Sequence, residues 1–189
     1  GNERKTEITL DYSDIDIADL IEKEDVVISL THQGYIKRIP VDEYRSQNRG
    51  GRGVSSHKTK EEDYVENIIT SSTHDDVMFF TNLGRVYRIK AYEIPEAGKL
   101  AKGRAMINLL QLSSGERVTA TIPVKENKEV GTLIMATKKG LIKRTSVAEF
   151  ESIRKVGKIA IKLTDNDELI NVQYSEGNSD VLCASNHGK

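Results

Sequence analysis

Val26-Val27-Ile28-Ser29-Leu30-Thr31-His32-Gln33-Gly34-Tyr35-Ile36-Lys37-Arg38-Ile39 reads as an apolar run, a four-residue turn and an alternating return segment. The same order recurs at Val77-Met78-Phe79-Phe80, Thr81-Asn82-Leu83-Gly84 and Arg85-Val86-Tyr87-Arg88-Ile89. It recurs again at Leu133-Ile134-Met135-Ala136, Thr137-Lys138-Lys139-Gly140 and Leu141-Ile142-Lys143-Arg144-Thr145. A fourth copy begins at Val181-Leu182-Cys183-Ala184 and Ser185-Asn186-His187-Gly188. The turn glycines stand at 34, 84, 140 and 188, a period of about 50 residues that points to a propeller or a related array. A continuous apolar run of this length fits a strand buried on both faces. In the Thr/Ser-x-x-Gly that follows, the hydroxyl suits the first turn position and glycine suits the one that needs positive φ.

Each unit continues alike. Ten residues beyond the turn glycine stand Tyr44, Ile94 and Phe150, each preceded by Glu43, Glu93 or Glu149. A glycine-bearing loop then ends at Gly53, Gly103 or Gly157. A third strand is expected next, clearest over 105–109 and 159–163, and a fourth over 64–70, 117–123 or 169–174. Four strands per unit and almost no helix make an all-β, propeller-like fold. The expected blades are 26–75, 76–127, 128–178 and a partial 179–189, together one domain over 26–189. Residues 1–25 read as an acidic lead-in, with a short strand over 6–10 and one or two helical turns over 16–21. Starting at Gly1 without Met, the sequence is expected to be a piece of a longer chain.

The hydrophobic share, 37%, is low and the charged share, 30%, is high, which suits a sheet-rich body with a wide wetted surface. Cys183 is alone, so neither a disulfide framework nor a cysteine metal site is expected. His32, His57, His74 and His187 are scattered without ligand spacing, and no metal is expected. The seven tyrosines read as packing residues. No apolar run approaches the roughly 18 residues of a membrane span, and no signal peptide is visible. A cytoplasmic protein is the expectation.

The net charge of −1 hides a sorting of signs along the chain. Residues 1–33 carry three bases and nine acids, whereas 34–60 carry seven bases and two acids. Residues 85–104 carry six and two, 138–162 eight and two, and 163–187 five acids without a base. Basic blocks spaced like the repeat suggest a basic track around the array.

The first block contains Gln47-Asn48-Arg49-Gly50-Gly51-Arg52-Gly53. Three glycines and two arginines in seven residues argue against helix and against an ordinary strand. An open loop is expected, with free backbone N–H groups and guanidinium forks suited to phosphate oxygens. The bland alternatives are a flexible turn or an RGG-type segment, and the flanking strands argue against low complexity. A nucleotide-binding P-loop is excluded, because no Gly-Lys pair here is followed by Ser or Thr. Lys99, Lys102, Arg104, Arg154, Lys155 and Lys158 align with this stretch in units two and three. Lys37, Arg45, Arg85 and Lys143 add bases nearby. Arg38, Arg88 and Arg144 recur four residues after the turn glycine. Two readings stay open for them: phosphate contact at a rim, or pairing with Glu43, Glu93 and Glu149 to staple the blade.

Residues 47–53 resemble the signature box of the C-terminal domain of the DNA gyrase A subunit. Glu24-Asp25-Val26-Val27, Thr31-His32-Gln33-Gly34-Tyr35-Ile36-Lys37-Arg38 and the 50-residue repeat resemble it too, over about 6–189. The family's box usually has a second base after its Gln, where this chain has Asn48. The resemblance implies a β-pinwheel of propeller-like blades that exchange strands, with duplex DNA bent around a basic rim. It implies a non-catalytic part of a type IIA topoisomerase, working beside the rest of the gyrase A subunit. The gyrase B subunit would complete a bacterial, nucleoid-associated heterotetramer. The catalytic tyrosine and the ATPase would lie outside this chain, and ATP and Mg would belong to the holoenzyme, leaving no cofactor here. The near-complete box favours gyrase over the corresponding topoisomerase IV domain. A propeller that binds proteins or acts as an enzyme is the reading from another class, and no repeated polar catalytic set supports it.

Overall fold

A computed structural model describes residues 17–49 and 63–176. The expected strand over 6–10, the glycines of the box and the fourth unit lie outside the described residues. One helical turn, α1 (Ile17–Leu20), precedes three sheets. The first unit contributes β1 (Asp25–Thr31), β2 (Tyr35–Pro40), α2 (Val41–Arg49) and β3 (Val65–Ser72). The second contributes β4 (Asp76–Thr81), β5 (Arg85–Lys90), β6 (Arg104–Ala105), α3 (Met106–Leu109) and β7 (Val118–Val124). The third contributes β8 (Thr132–Thr137), β9 (Ile142–Ser146), β10 (Lys158–Ile159) and β11 (Leu169–Ser175).

The apolar runs are the buried strands. Val26 to Leu30 and Val77 to Thr81 are buried without a break. Each sits in mid-sheet and needs apolar side chains on both faces. Side chains alternate along a strand, so β4 feeds two cores. Val77 and Phe79 join Val26, Ile28, Leu30 and Ile36 between the first two sheets. Met78 and Phe80 join Leu133, Met135 and Leu169 between the second and third. The hairpin turns close as the repeat predicts, with Gly34, Gly84 and Gly140 donating N–H to Thr31, Thr81 and Thr137 carbonyls at 3.0 Å. Gly34, at φ +87°, shows why glycine holds that place.

Two expectations are corrected. The third strand is not a long member of its own unit's sheet. It is two residues long and crosses to the preceding sheet, giving the orders β3-β1-β2-β6 and β10-β5-β4-β7. Tyr35 pairs with Ala105 and Ile36 with Arg104, while Val86 pairs with Lys158 and Arg85 with Ile159. Residues 106–109 turn into helix instead. The second correction concerns the box, because α2 carries Gln47, Asn48 and Arg49 as helix. The helix-breaking glycines begin only at Gly50, so nothing before it opposes a helical backbone.

Strands β3, β7 and β11 pack against one another in succession and form the hub side. The exchanged strands β6 and β10 lie at the opposite sheet edges, so the loops leading into them form the rim.

Candidate nucleic-acid interface

Two rim loops each close a tight turn, two residues out of register with one another relative to the exchanged strand that follows. In the second unit, Ala101 N–H donates to the Gly98 carbonyl at 3.1 Å and closes a turn with Lys99 and Leu100 at its tip. In the third, Gly157 N–H donates to the Arg154 carbonyl at 2.9 Å, with Lys155 and Val156 at the tip. Each turn is held from the neighbouring sheet by a base on the return strand. Lys37 of β2 directs its ammonium to the carbonyls of Gly98, Lys99 and Ala101 at 3.0, 2.9 and 3.0 Å. An ammonium has three donors, and all three are used. Burial pushes the Lys37 pKa down. In the third unit the base is Arg85 of β5, two positions earlier on its strand than Lys37, which donates to the Val156 carbonyl.

The repeated arginines form a second layer of the same junction. Arg38 donates from Nε to the Ile94 carbonyl at 2.6 Å, and its Nη1 lies 3.6 Å from Glu96. Arg88 donates to the Phe150 carbonyl at 2.8 Å. Ile94 and Phe150 are the repeated apolar residues ten beyond the turn glycine, so unit n grips unit n+1 at one fixed point. Arg88 also holds the carboxylates of Asp76 and Glu129, with only 9% of its side chain exposed. Burial opposes its charge, but hydrogen bonds to Glu129 and Asp76 outweigh that and raise its pKa above the ordinary arginine value. Arg144 is exposed and has no ion-pair partner among the described residues.

Of the two readings left open for these arginines, the structure shows a stapling contact for two. Arg38 and Arg88 staple adjacent units, but not through Glu43 and Glu93. Glu93 accepts the Lys90 N–H at 2.8 Å instead. Lys37, Arg38 and Arg88 all donate across the junction, and of the three Arg88 alone has its charge balanced there by two carboxylates. Arg85 is half-buried in the same role.

The remaining bases lie outward. Arg45 on α2, Lys99, Arg104, Arg154 and Lys155 are exposed and have no carboxylate partner among the described residues. Lys102 is exposed, its ammonium 4.1 Å from the Tyr35 ring centroid. Lys158 donates to the Glu149 carbonyl at 2.9 Å and Lys143 to the Ala160 carbonyl at 3.1 Å, both staying exposed. Of the box, Gln47, Asn48 and Arg49 close α2, while Gly50, Gly51, Arg52 and Gly53 lie outside the described residues. Sequence reading missed the acids that hold Arg88. Asp76 had a signal, since Asp25 and Asp76 both precede the buried run. Glu129 lies in the irregular 125–131 connection and had none. Among the described residues no group of three or more His, Cys, Asp or Glu could hold a metal ion, and no helix is long and apolar enough to cross a membrane.

Comparison with known proteins agrees with this build. The family described as DNA gyrase C-terminal domain, beta-propeller, matches residues 25–72, 75–125 and 131–175, one match per sequence unit. The DNA gyrase A subunit of Clostridium acetobutylicum is 54% identical over 188 residues, covering 100% of this chain and 23% of that protein. The DNA gyrase A subunit of Escherichia coli K12 is 47% identical over 189 residues, covering 100% and 22%. The chain thus spans less than a quarter of the length of these curated relatives. Among solved structures, the C-terminal domain of a DNA topoisomerase IV superposes with TM-score 0.68 at 23% identity, covering 83% of this chain and 47% of that one. A DNA gyrase A C-terminal domain superposes with TM-score 0.57 at 28% identity, covering 81% and 48%. The first likeness is one of fold.

Proposed function

This chain belongs to the DNA gyrase C-terminal domain family of β-propellers, and from that premise we propose that it binds duplex DNA and bends it around its rim. The observation that carries the reading is the division of the bases. Lys37, Arg38, Arg85 and Arg88, on the first two return strands, donate across the junctions between sheets. Those on the rim loops, Lys99, Arg104, Arg154 and Lys155, stand exposed and unpaired one unit apart. Unpaired cations spaced along an edge neutralise phosphates without reading bases, so binding is sequence-independent and steeply salt-dependent. Bending a site of about 20–30 base pairs costs on the order of 1–6 kcal/mol, which no single loop supplies. The repetition of the loop answers that requirement. Residues 47–53 join this track at the exit of α2 on the strength of the resemblance.

In this reading the chain is non-catalytic. It presents a DNA segment to a gyrase whose catalytic tyrosine, ATPase and Mg lie elsewhere in the gyrase A and gyrase B chains. It works in a bacterial cytoplasm and supports ATP-driven negative supercoiling. Duplex affinity measured between 50 and 200 mM salt tests the binding. With Arg45, Lys99, Lys102, Arg104, Arg154, Lys155 and Lys158 each meeting a phosphate, log K falls against log salt with a slope of about −6. An affinity indifferent to salt overturns the reading. Ligating nicked circles with the chain bound tests the bend, because wrapping changes the linking number of the closed product and simple binding leaves it unchanged.

A further inference from the structure

The two rim turns share a feature that phosphate binding does not use. The third position of each turn is aliphatic, Leu100 in one and Val156 in the other, directly after Lys99 and Lys155. Turn corners are ordinarily filled by Gly, Asn, Asp or Ser, which suit the backbone and water alike. Leu100 is instead 99% exposed and Val156 52%. Leu100 gains almost no burial from folding, Val156 stays half exposed, and neither belongs to a core cluster. A single exposed aliphatic residue is ordinary on a protein surface. Here both rim turns place an aliphatic residue at their third position, next to an unpaired lysine. Both tips are also held rigid from below, one by the three hydrogen bonds of Lys37 and the other by Arg85. A preorganised tip lowers the ordering cost of contact.

We propose that Leu100 and Val156 are DNA contacts in their own right: apolar tips that pack against the deoxyribose faces of the groove turned towards the rim, beside phosphates held by Lys99 and Lys155. The inference rests on the DNA reading above and specifies its chemistry. Sugars are the apolar surface that every nucleotide presents, so such contacts are independent of sequence. The direction of the bend selects packing over insertion. An apolar wedge driven between base steps from the minor groove kinks the duplex away from the protein. A duplex curling around a rim must bend towards it, which narrows the facing groove and favours a tip that lies against its walls.

Salt separates the two parts of the contact. Replacing Lys99 and Lys155 by Ala removes two released counterions and flattens the slope of log K against log salt by about 1.8. Leu100→Ala with Val156→Ala removes only apolar contact. Affinity then falls about tenfold at every salt concentration, with the slope unchanged and the bend measured by end-to-end energy transfer reduced. Leu100→Ile with Val156→Ile restores affinity and bend. 2-Aminopurine placed along the duplex stays quenched when the parent chain binds. The inference is overturned if the double alanine variant binds and bends DNA as the parent does, or if 2-aminopurine brightens and reveals unstacking. A parent affinity indifferent to salt would instead fail the DNA reading itself, so the two failures are distinguishable. Both positions are exposed and outside the core, so circular dichroism is expected to show unchanged folding in every variant.

Discussion

Arg88 and Arg144 stand at the same place in successive repeats and live in opposite surroundings. Arg88 is closed in by Asp76, Glu129 and the Phe150 carbonyl of the next unit. Arg144, at the outer edge of the last described sheet, is exposed and without an ion-pair partner there. Part of the difference is local, because the strand place that Asp76 holds beside Arg88 is held by Thr132 beside Arg144. The other part is whether the residue ten beyond the next turn glycine is in place to accept a hydrogen bond. A base in this array is therefore structural or free according to its strand neighbours and to the unit after it. Counting charge by sequence block overstates the charge offered to DNA wherever a following unit is present.

Arg88→Ala is the strongest way to break the comparison. It leaves two carboxylates in a nearly dry site, with Lys90 at 2.7 Å from Asp76 as partial compensation. Removing one partner of a buried ion pair costs about 3–5 kcal/mol. Arg38 has carbonyl partners and one distant carboxylate, so Arg38→Ala is expected to cost about 1–2 kcal/mol, the scale of charged hydrogen bonds. Urea midpoints at constant m-value measure both. Salt-dependent DNA affinity, corrected for the folded fraction, is expected to stay at the parental level. A variant that keeps parental stability and loses DNA affinity would put Arg88 at the rim.

A second test asks whether the exchanged strand is what closes the junction. Gly103 and Gly34 have nearly equal φ, +89° and +87°. A Cβ at Gly34 meets nothing within 4 Å, whereas one at Gly103 would lie 2.5 Å from the Ile36 carbonyl oxygen. That oxygen belongs to the strand with which β6 pairs. Gly34→Ala is thus expected to cost about 1 kcal/mol, the left-handed backbone penalty. Gly103→Ala adds a clash with backbone that cannot move aside, for about 3 kcal/mol in all. Equal losses in thermal denaturation would mean that β6 is not held against Ile36.

The same contrast explains what could be read from the chain. The buried runs, the turns and the period were legible, because strand burial and turn chemistry act within a few residues of themselves. The partners of Lys37 were not, since Gly98, Lys99 and Ala101 lie 61 to 64 residues away and offer only backbone oxygens. A carbonyl leaves no mark in a sequence. Lys37 and Lys99 look alike as letters and differ only in what the fold brings to them. The third strand is shorter than its letters suggest for a related reason. Residues 105–109 are apolar enough for a strand, but Ala105 alone finds a pairing partner before Met106 turns inward to the core. The helix through Arg49 is hidden because the glycines of the box say nothing about the residues before them.

The smallest expected effect falls on Arg144. With no partner among the described residues, Arg144→Ala is expected to change stability by no more than about 0.5 kcal/mol, the range of ordinary surface substitutions. Where Arg144 meets a phosphate, the salt slope flattens by about 0.9. In a longer chain that supplies the next unit, the residue ten beyond Gly188 takes the place that Ile94 and Phe150 hold for Arg38 and Arg88. The same substitution is then expected to cost about 1–2 kcal/mol, as at Arg38, and to leave the salt slope untouched. Measuring one substitution in the two chain lengths therefore moves a single arginine from one side of the comparison to the other. A loss near 2 kcal/mol already in the 189-residue chain would show that Arg144 is held without a following unit, and the rule drawn from Arg88 would fail.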